Sequence, residues 1–227
     1  MEIRYLGHSA FQLTDGTHTV LIDPFLTGNP KAAVTADELE PTHILLSHGH
    51  ADHLGDTVDL AKRTGATVVA ITELADEITG EGVENVLDPN LGGTVKFDWG
   101  WVKLVPAWHT AKSDLKGTPH TPAGLLIEFG GKLVYHLGDT CLFSDLKLIA
   151  QRGTPVDVAL MPIGGHYTMD RIDAVTAVQF VEPATVIPMH YNTFPPVETD
   201  AEQFKADVEA KGSAKVLVLA PGETHTP

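Results

Sequence analysis

The segment Ser47-His48-Gly49-His50-Ala51-Asp52-His53-Leu54-Gly55 places three histidines and one aspartate within six residues. Neutral imidazole and carboxylate are good ligands for Zn2+ and similar cations. Gly49 and Ala51 are small, so the loop can curl tightly and aim several side chains at one place. A solvated His-rich loop would show the same composition. Here an apolar run, Thr42-His43-Ile44-Leu45-Leu46-Ser47, delivers the cluster as a buried strand would. Later apolar runs also close on polar residues, among them His109 after Trp101–Val105, Asp139 after Lys132–His136, and His190 in Ile187-Pro188-Met189-His190-Tyr191-Asn192. Singly, each is also an ordinary polar residue at a strand end. Asp23 closes Leu21-Ile22-Asp23-Pro24. It reads equally as a turn-initiating Asp before Pro and as a carboxylate that orients a ligand imidazole.

The elements that must position these residues begin with strands. Ala10–Leu13 and His18–Ile22 flank Thr14-Asp15-Gly16-Thr17, a hairpin signal. A helix is expected over Thr57–Thr64, with Asp56 as N-cap and Gly65 as the stop. Thr67–Ile71 is the next strand. Strands are then expected at Val95–Phe97, Trp101–Val105, Gly124–Phe129 and Lys132–His136, with Gly130-Gly131 as a tight turn. Helices follow at Leu142–Gln151, Ile172–Val181 and Ala201–Lys211, separated by strands at Asp157–Leu160, Thr185–Ile187 and Lys215–Leu219. Asp200 and Gln203 give the last helix a capping-box-like start. Strands followed by helices in each half point to one αββα domain over residues 1–227, two sheets face to face with helices outside.

Composition bounds the chemistry. The chain of 227 residues has 15 Lys plus Arg against 30 Asp plus Glu, a formal charge of -15. Long nucleic acid is therefore not the expected partner, since phosphates attract basic surfaces. The single cysteine, Cys141, excludes an intrachain disulfide and suits a reducing compartment. No stretch reaches the roughly 20 apolar residues of a membrane span. Met1–Leu6 carries an early acid and meets Gly7-His8 before any apolar core accumulates, so no signal peptide and a cytoplasmic location are expected.

His48 to His53 also spell H-x-H-x-D-H, the signature of the metallo-β-lactamase superfamily, and the chain resembles it over nearly its whole length. Four further stretches narrow the resemblance: Leu6-Gly7-His8-Ser9-Ala10-Phe11, Ile22-Asp23-Pro24-Phe25, Pro162–Met169 and His190–Pro195. Together they look like the UPF0173 metal-dependent hydrolases, related to ascorbate-6-phosphate lactonase. Asp170-Arg171 stands where that family often has Gly-Pro, a departure that touches no ligand position. The resemblance implies the α/β, four-layer αββα fold and two divalent cations. Zn2+ is the first expectation, with Mn2+, Fe2+, Co2+ and Ni2+ also compatible with the ligand types. It implies His48, His50 and His109 on one cation, Asp52, His53 and His190 on the other, Asp139 bridging, and Asp23 holding the loop from behind. Physics agrees with a bridging carboxylate, because cations ~3.5–4 Å apart repel unless negative charge lies between them.

The implied reaction is hydrolysis of a small ester, lactone or phosphoester by a metal-bridging hydroxide, with Asp52 both ligand and catalytic orienting group. Histidine at position 50 argues against the redox chemistry of flavodiiron proteins. The chain has no room for the inserted domain of the β-CASP nucleases or the helical domain of glyoxalase II. A phosphodiesterase for a small nucleotide and a non-catalytic metal-binding module are the competing readings. His8, His166, Tyr191 and Asn192 are expected substrate contacts. In the Gly164-Gly165-His166 loop, backbone amides could serve an oxyanion. His136 reads as a packing residue, and His18, His43, His120 and His225 as surface or turn residues. A small-molecule substrate, no membrane, and a homo-oligomer allowed by family analogy complete the expectations.

Overall fold

The computed structural model describes residues 1–150, 153–212 and 214–227. The chain opens with β1 (Glu2–Gly7), β2 (Ala10–Thr14) and β3 (Thr19–Ile22). It continues through β4 (His43–Leu45), the one-turn helix α1 (Ala51–Leu54), α2 (Thr57–Thr64), β5 (Thr67–Val69), α3 (Thr72–Gly80) and β6 (Val86–Leu87). Next come β7 (Thr94–Phe97), β8 (Gly100–Pro106), the short β9 (Ala111–Lys112) and β10 (Pro119–His120), β11 (Ala123–Phe129) and β12 (Lys132–His136). The last part is α4 (Lys147–Ala150), β13 (Val158–Pro162), α5 (Arg171–Val181), β14 (Thr185–Met189), α6 (Ala201–Ala210), β15 (Lys215–Val216) and β16 (Thr224–His225).

Among the described residues fourteen strands form two seven-stranded sheets, ordered β16-β1-β2-β3-β4-β5-β6 and β15-β14-β13-β12-β11-β8-β7, and β9 and β10 pair with each other as a separate antiparallel hairpin. Both sheets follow one plan. The pairings among β16, β1, β2 and β3 are antiparallel, and those from β3 through β6 are parallel. The second sheet repeats this, antiparallel from β7 through β8, β11 and β12, then parallel through β13, β14 and β15. β16 returns from the C-terminus to the first sheet and closes its edge against β1.

Side-chain alternation builds the layers, because successive strand residues face opposite ways. Leu125, Ile127 and Phe129 on β11 and Val158 and Leu160 on β13 join the core between the sheets. Their neighbours Leu126, Ala159 and Met161 face outward, where Ala174, Ala177 and Val178 of α5 and Phe204 and Val208 of α6 cover them. Leu60 of α2 and Leu74 and Ile78 of α3 pack on the first sheet. The four-layer αββα arrangement is the expected one. Among the described residues no helix is long and apolar enough to cross a membrane.

Several local expectations change. α2 spans Thr57–Thr64 and stops at Gly65 in the left-handed region. Asp56, however, makes no cap hydrogen bond; its Oδ2 accepts from the backbone N–H groups of Leu26 and Thr27 at 3.0 and 2.8 Å. At α6, Asp200 accepts from the Gln203 N–H at 2.9 Å, but the Gln203 amide turns to Asp207, so the capping box is only half formed. The expected helix over Leu142–Gln151 is shorter, a 3-10 turn at Ser144–Leu146 leading into α4, and Gln151 lies outside the described residues.

Leu125 is fully buried between the sheets. Leu125→Ala is expected to lower stability by about 2–5 kcal/mol through lost burial and a residual cavity. Urea unfolding checks this; an unchanged midpoint would contradict the assigned core.

Candidate metal centre

The centre forms on one rim of the sandwich, at the C-terminal ends of β3, β4, β12 and β14, together with the segment after β8. Open sheets with parallel strands place ligand sites at such ends. Beyond β4, Ser47 is held by Asp23. The Asp23 carboxylate is fully buried and accepts from the Ser47 N–H at 2.8 Å, the Ser47 hydroxyl at 2.6 Å and His53 Nδ1 at 2.7 Å. The expected curled loop is half a helix: His50 precedes α1, and its carbonyl accepts from the N–H groups of His53 and Leu54 at 3.0 and 2.8 Å. Asp52 and His53 therefore leave one helical turn in adjacent directions.

Gly49 lies against the β9–β10 hairpin. A Cβ there would come within 2.9 Å of both His120 Cε1 and Leu74 Cδ1. The Gly49 N–H donates to His120 Nε2 at 2.9 Å, and its carbonyl accepts from the Asp114 N–H at 2.8 Å. His120 is thus no surface residue but the acceptor that fixes the metal-loop backbone.

Two groups could each hold a cation, with ligand atoms mutually within 4.8 Å: His48, His50, His109 and Asp139, and His8, Asp52, His53 and His190. Asp139 joins them. Its Oδ2 lies 3.9 Å from His48 Nε2, 3.6 Å from His109 Nε2 and 3.2 Å from His190 Nε2, and its Oδ1 lies 3.2 Å from His53 Nε2. His48 Nε2 and His50 Nδ1 are 3.0 Å apart. Zn–N bonds of about 2.0–2.1 Å in a tetrahedral shell place neighbouring ligand atoms near such spacings.

The donor set fits a cation. His53 Nε2, His190 Nε2 and Asp139 Oδ1 are buried without a hydrogen-bond partner. Such groups are costly unless something else satisfies them. Burial lowers the pKa of His48 well below the ordinary histidine value and also lowers those of His50 and His109, which keeps these imidazoles in their ligating, neutral form. Burial opposes charge on His53 too, yet Asp139, Asp52 and Asp23 outweigh it and raise its pKa well above the usual value. Asp139 is likewise opposed by burial, but His190 and His53 hold its carboxyl well below the ordinary range. The carboxylates thus demand positive charge, which a bound cation supplies.

Above the cluster lies a cavity of about 440 Å³. His50, Asp52, His109, Asp139 and His190 form its floor, and Thr110, Tyr167, Phe194, Pro196 and Val197 form the wall. His48 and His53 sit beneath, with no exposed surface.

The β-lactamase superfamily domain model matches residues 2–190. A UPF0173 metal-dependent hydrolase of Methanopyrus kandleri is 48% identical over 229 residues, 99% of each chain. The chain belongs to the UPF0173 family of metal-dependent hydrolases. Another UPF0173 protein, from Thermus thermophilus, is 47% identical over 223 residues, 98% of this chain and 97% of its own. A metallo hydrolase of the archaeon Ignicoccus hospitalis shares the fold with a TM-score of 0.90 at 39% identity, covering 99% of this chain and 97% of its own.

Within this UPF0173 chain, the rim brings His48, His50, Asp52, His53, His109, Asp139 and His190 together, with Asp23 behind them. The expected substrate contacts are placed differently. His8 is fully buried behind Asp52 and has no surface for a substrate. Tyr191 and Asn192 turn away, because His190 and Asn192 both have positive φ. They line a separate groove with Lys31, and Asn192 Oδ1 accepts from the Thr199 N–H at 2.8 Å. His166 is exposed, but its neighbour Tyr167, packed edge-on against it, is the cavity residue. In the Gly164-Gly165 pair the Gly165 N–H is taken by the Met169 carbonyl at 2.9 Å, and Gly164 packs so closely on the His190 carbonyl that a Cβ there would collide with it. His136 is a packing residue, donating from Nε2 to the Ser9 carbonyl at 3.0 Å and accepting the Gly138 N–H at 3.1 Å. Cys141 is exposed and outside the cavity wall. Sequence reading missed His120, Tyr167 and Phe194 as individual contributors; the last two stood inside the family-like stretches.

Asp23→Asn keeps the shape but removes the charge and one acceptor oxygen. It is expected to weaken divalent-metal binding about 10–100-fold, as loss of a group that orients ligand imidazoles does. Metal titration of the folded variant checks this; wild-type affinity would contradict the role of Asp23.

Proposed function

We propose that this UPF0173 hydrolase is a binuclear metallohydrolase acting on a small ester, lactone or phosphoester in the cytoplasm. The observation that carries the reading is Asp139, whose two oxygens lie within 4 Å of imidazoles from both groups at the cavity floor. His48, His50 and His109 would hold one divalent cation, and Asp52, His53 and His190 the other, with Asp139 between them. Zn2+ suits these ligands, and Mn2+, Fe2+, Co2+ and Ni2+ are also compatible. Bound there, such a pair supplies water ionised near neutral pH and polarises the scissile oxygen.

The protein's own residues then divide the work. Asp52 lines the cavity and is half-buried, so its carboxylate can accept a proton-bearing face of the attacking water while it ligates. His50 and His109 also line the cavity and fix the opposite edge of the floor. Asp23 locks the tautomer of His53 by accepting from its Nδ1, which leaves Nε2 free to ligate. Phe194, Pro196 and Tyr167 give the substrate body an apolar wall, which suits an acyl compound. The formal charge of -15 also disfavours long nucleic acid.

Asp139→Ala and His50→Ala are expected to lower hydrolysis of generic p-nitrophenyl esters at least about a hundredfold, since each ligand loss removes several kcal/mol of transition-state stabilisation. Metal content measured on the same samples should fall in parallel. Unchanged hydrolysis would reject the assignment. A wild-type preference for bis-p-nitrophenyl phosphate would instead favour the phosphodiester alternative.

A further inference from the structure

We propose that His8 is a positioning residue for the second cation, clamping Asp52 and His190 and tying both to the loop that walls the cavity. The inference rests on the two-cation reading above. His8 has φ +58, a region that non-glycine residues seldom occupy. It follows Gly7 at φ +111, where a Cβ would collide with the Lys31 carbonyl. This turn sends the His8 side chain inward from the end of β1.

The carbonyl and both ring nitrogens of His8 are engaged around the site. Its carbonyl accepts from the His190 N–H at 2.8 Å and from the Tyr5 hydroxyl at 3.1 Å. Its ring lies 4.1 Å from the His190 ring. Its Nε2 is 3.0 Å from Asp52 Oδ2, and its Nδ1 is 2.8 Å from Thr193 Oγ1. An ionised carboxylate only accepts, so Nε2 carries the proton and donates to Asp52. In the neutral ring Nδ1 then holds a lone pair and accepts the Thr193 hydroxyl proton, for which the Tyr191 carbonyl, at 3.4 Å against 2.8 Å, is the more distant acceptor. The chain Thr193→His8→Asp52 therefore has one direction. Thr193 adjoins Phe194, whose ring packs edge-on to His8 at 5.7 Å and lines the cavity.

His8 lies within ligand reach of Asp52, His53 and His190. It differs from the two histidines in one respect. Both its ring nitrogens are already hydrogen-bonded, whereas His53 Nε2 and His190 Nε2 have no hydrogen-bond partner. The geometry makes it a support rather than a further ligand. Through it the apolar wall and the second-cation group are held as one unit.

Titrating the chelator-treated full chain with Co2+, followed by its visible absorption and by metal analysis, tests the assignment. Wild type is expected to take two equivalents. His8→Ala should keep the first and weaken the second about 10–100-fold. Thr193→Val preserves shape and removes one hydrogen bond, so a roughly two- to tenfold weakening of the second equivalent is expected. His8→Gln places an amide N–H near the position of Nε2 and should restore most of the loss. Wild-type affinity for the second equivalent in both His8→Ala and Thr193→Val overturns the proposal. So does equal weakening of both equivalents, or His8→Gln behaving like His8→Ala, which would mark His8 as a ligand. If His8→Ala does not fold, Thr193→Val alone decides. A single equivalent in wild type would overturn the two-cation reading itself.

Discussion

Asp139 Oδ2 sits within 4 Å of imidazole nitrogens delivered by three separate segments, after β4, β8 and β14. A buried carboxylate in such company forces the rest of the rim into place. Unpaired, its charge would be expensive to bury. Among the imidazoles around it, burial lowers the pKa of His48 and His109 and nearby carboxylates raise that of His53, and Asp139 becomes the shared edge of the two groups. The two sheets supply those segments from opposite sides. Both sheets run antiparallel first and parallel afterwards, and the loops that follow β4, β12 and β14 meet at one rim.

Convergence is held from outside the ligand shell by a relay of ordinary contacts. Glu77 on α3 accepts from the N–H groups of Lys116 and Thr118. That fixes the segment carrying His120, which accepts from the Gly49 N–H and sets the backbone between His48 and His50. Asp23 does the same from beneath through Ser47 and His53. Among the described residues six non-glycine positions have positive φ, and all but Glu182 (His8, Asp23, His166, His190 and Asn192) stand on or beside this rim. Strained conformations cost of order 1–3 kcal/mol each and persist only where surrounding structure over-determines them. Here the buried sandwich provides that surrounding, and the strain turns His8 and His190 toward Asp52 and Asp139.

Much of this was legible in the sequence because chemistry and punctuation coincide. H-x-H-x-D-H follows a buried apolar run, and Asp-Gly and Gly-Gly mark the turns at Asp15-Gly16 and Gly130-Gly131. α2 has a glycine stop and emerges with the expected bounds. α3 was illegible for the opposite reason: Ile71 precedes it with no side-chain cap, so no start signal stood before Thr72. Missing α3 and the two-residue strands β9 and β10 also hid His120, whose partner is a backbone N–H 71 residues away. The expected substrate contacts were misplaced by backbone geometry that residue type does not reveal. Positive φ at His190 and Asn192 sends Tyr191 and Asn192 to another groove, and the turn at His8 buries that ring behind Asp52. Ligand identity follows from side-chain chemistry, whereas the direction a loop residue faces depends on φ values set by distant packing.

The most direct test of the central claim is anomalous X-ray scattering from crystals of the full chain grown with excess Zn2+. The account predicts two peaks about 3.5–4 Å apart, one beside His48, His50 and His109, the other beside Asp52, His53 and His190, with the Asp139 carboxylate between them. A single peak, or metal bound away from Asp139 while this cluster stays filled only by its own side chains, would contradict it.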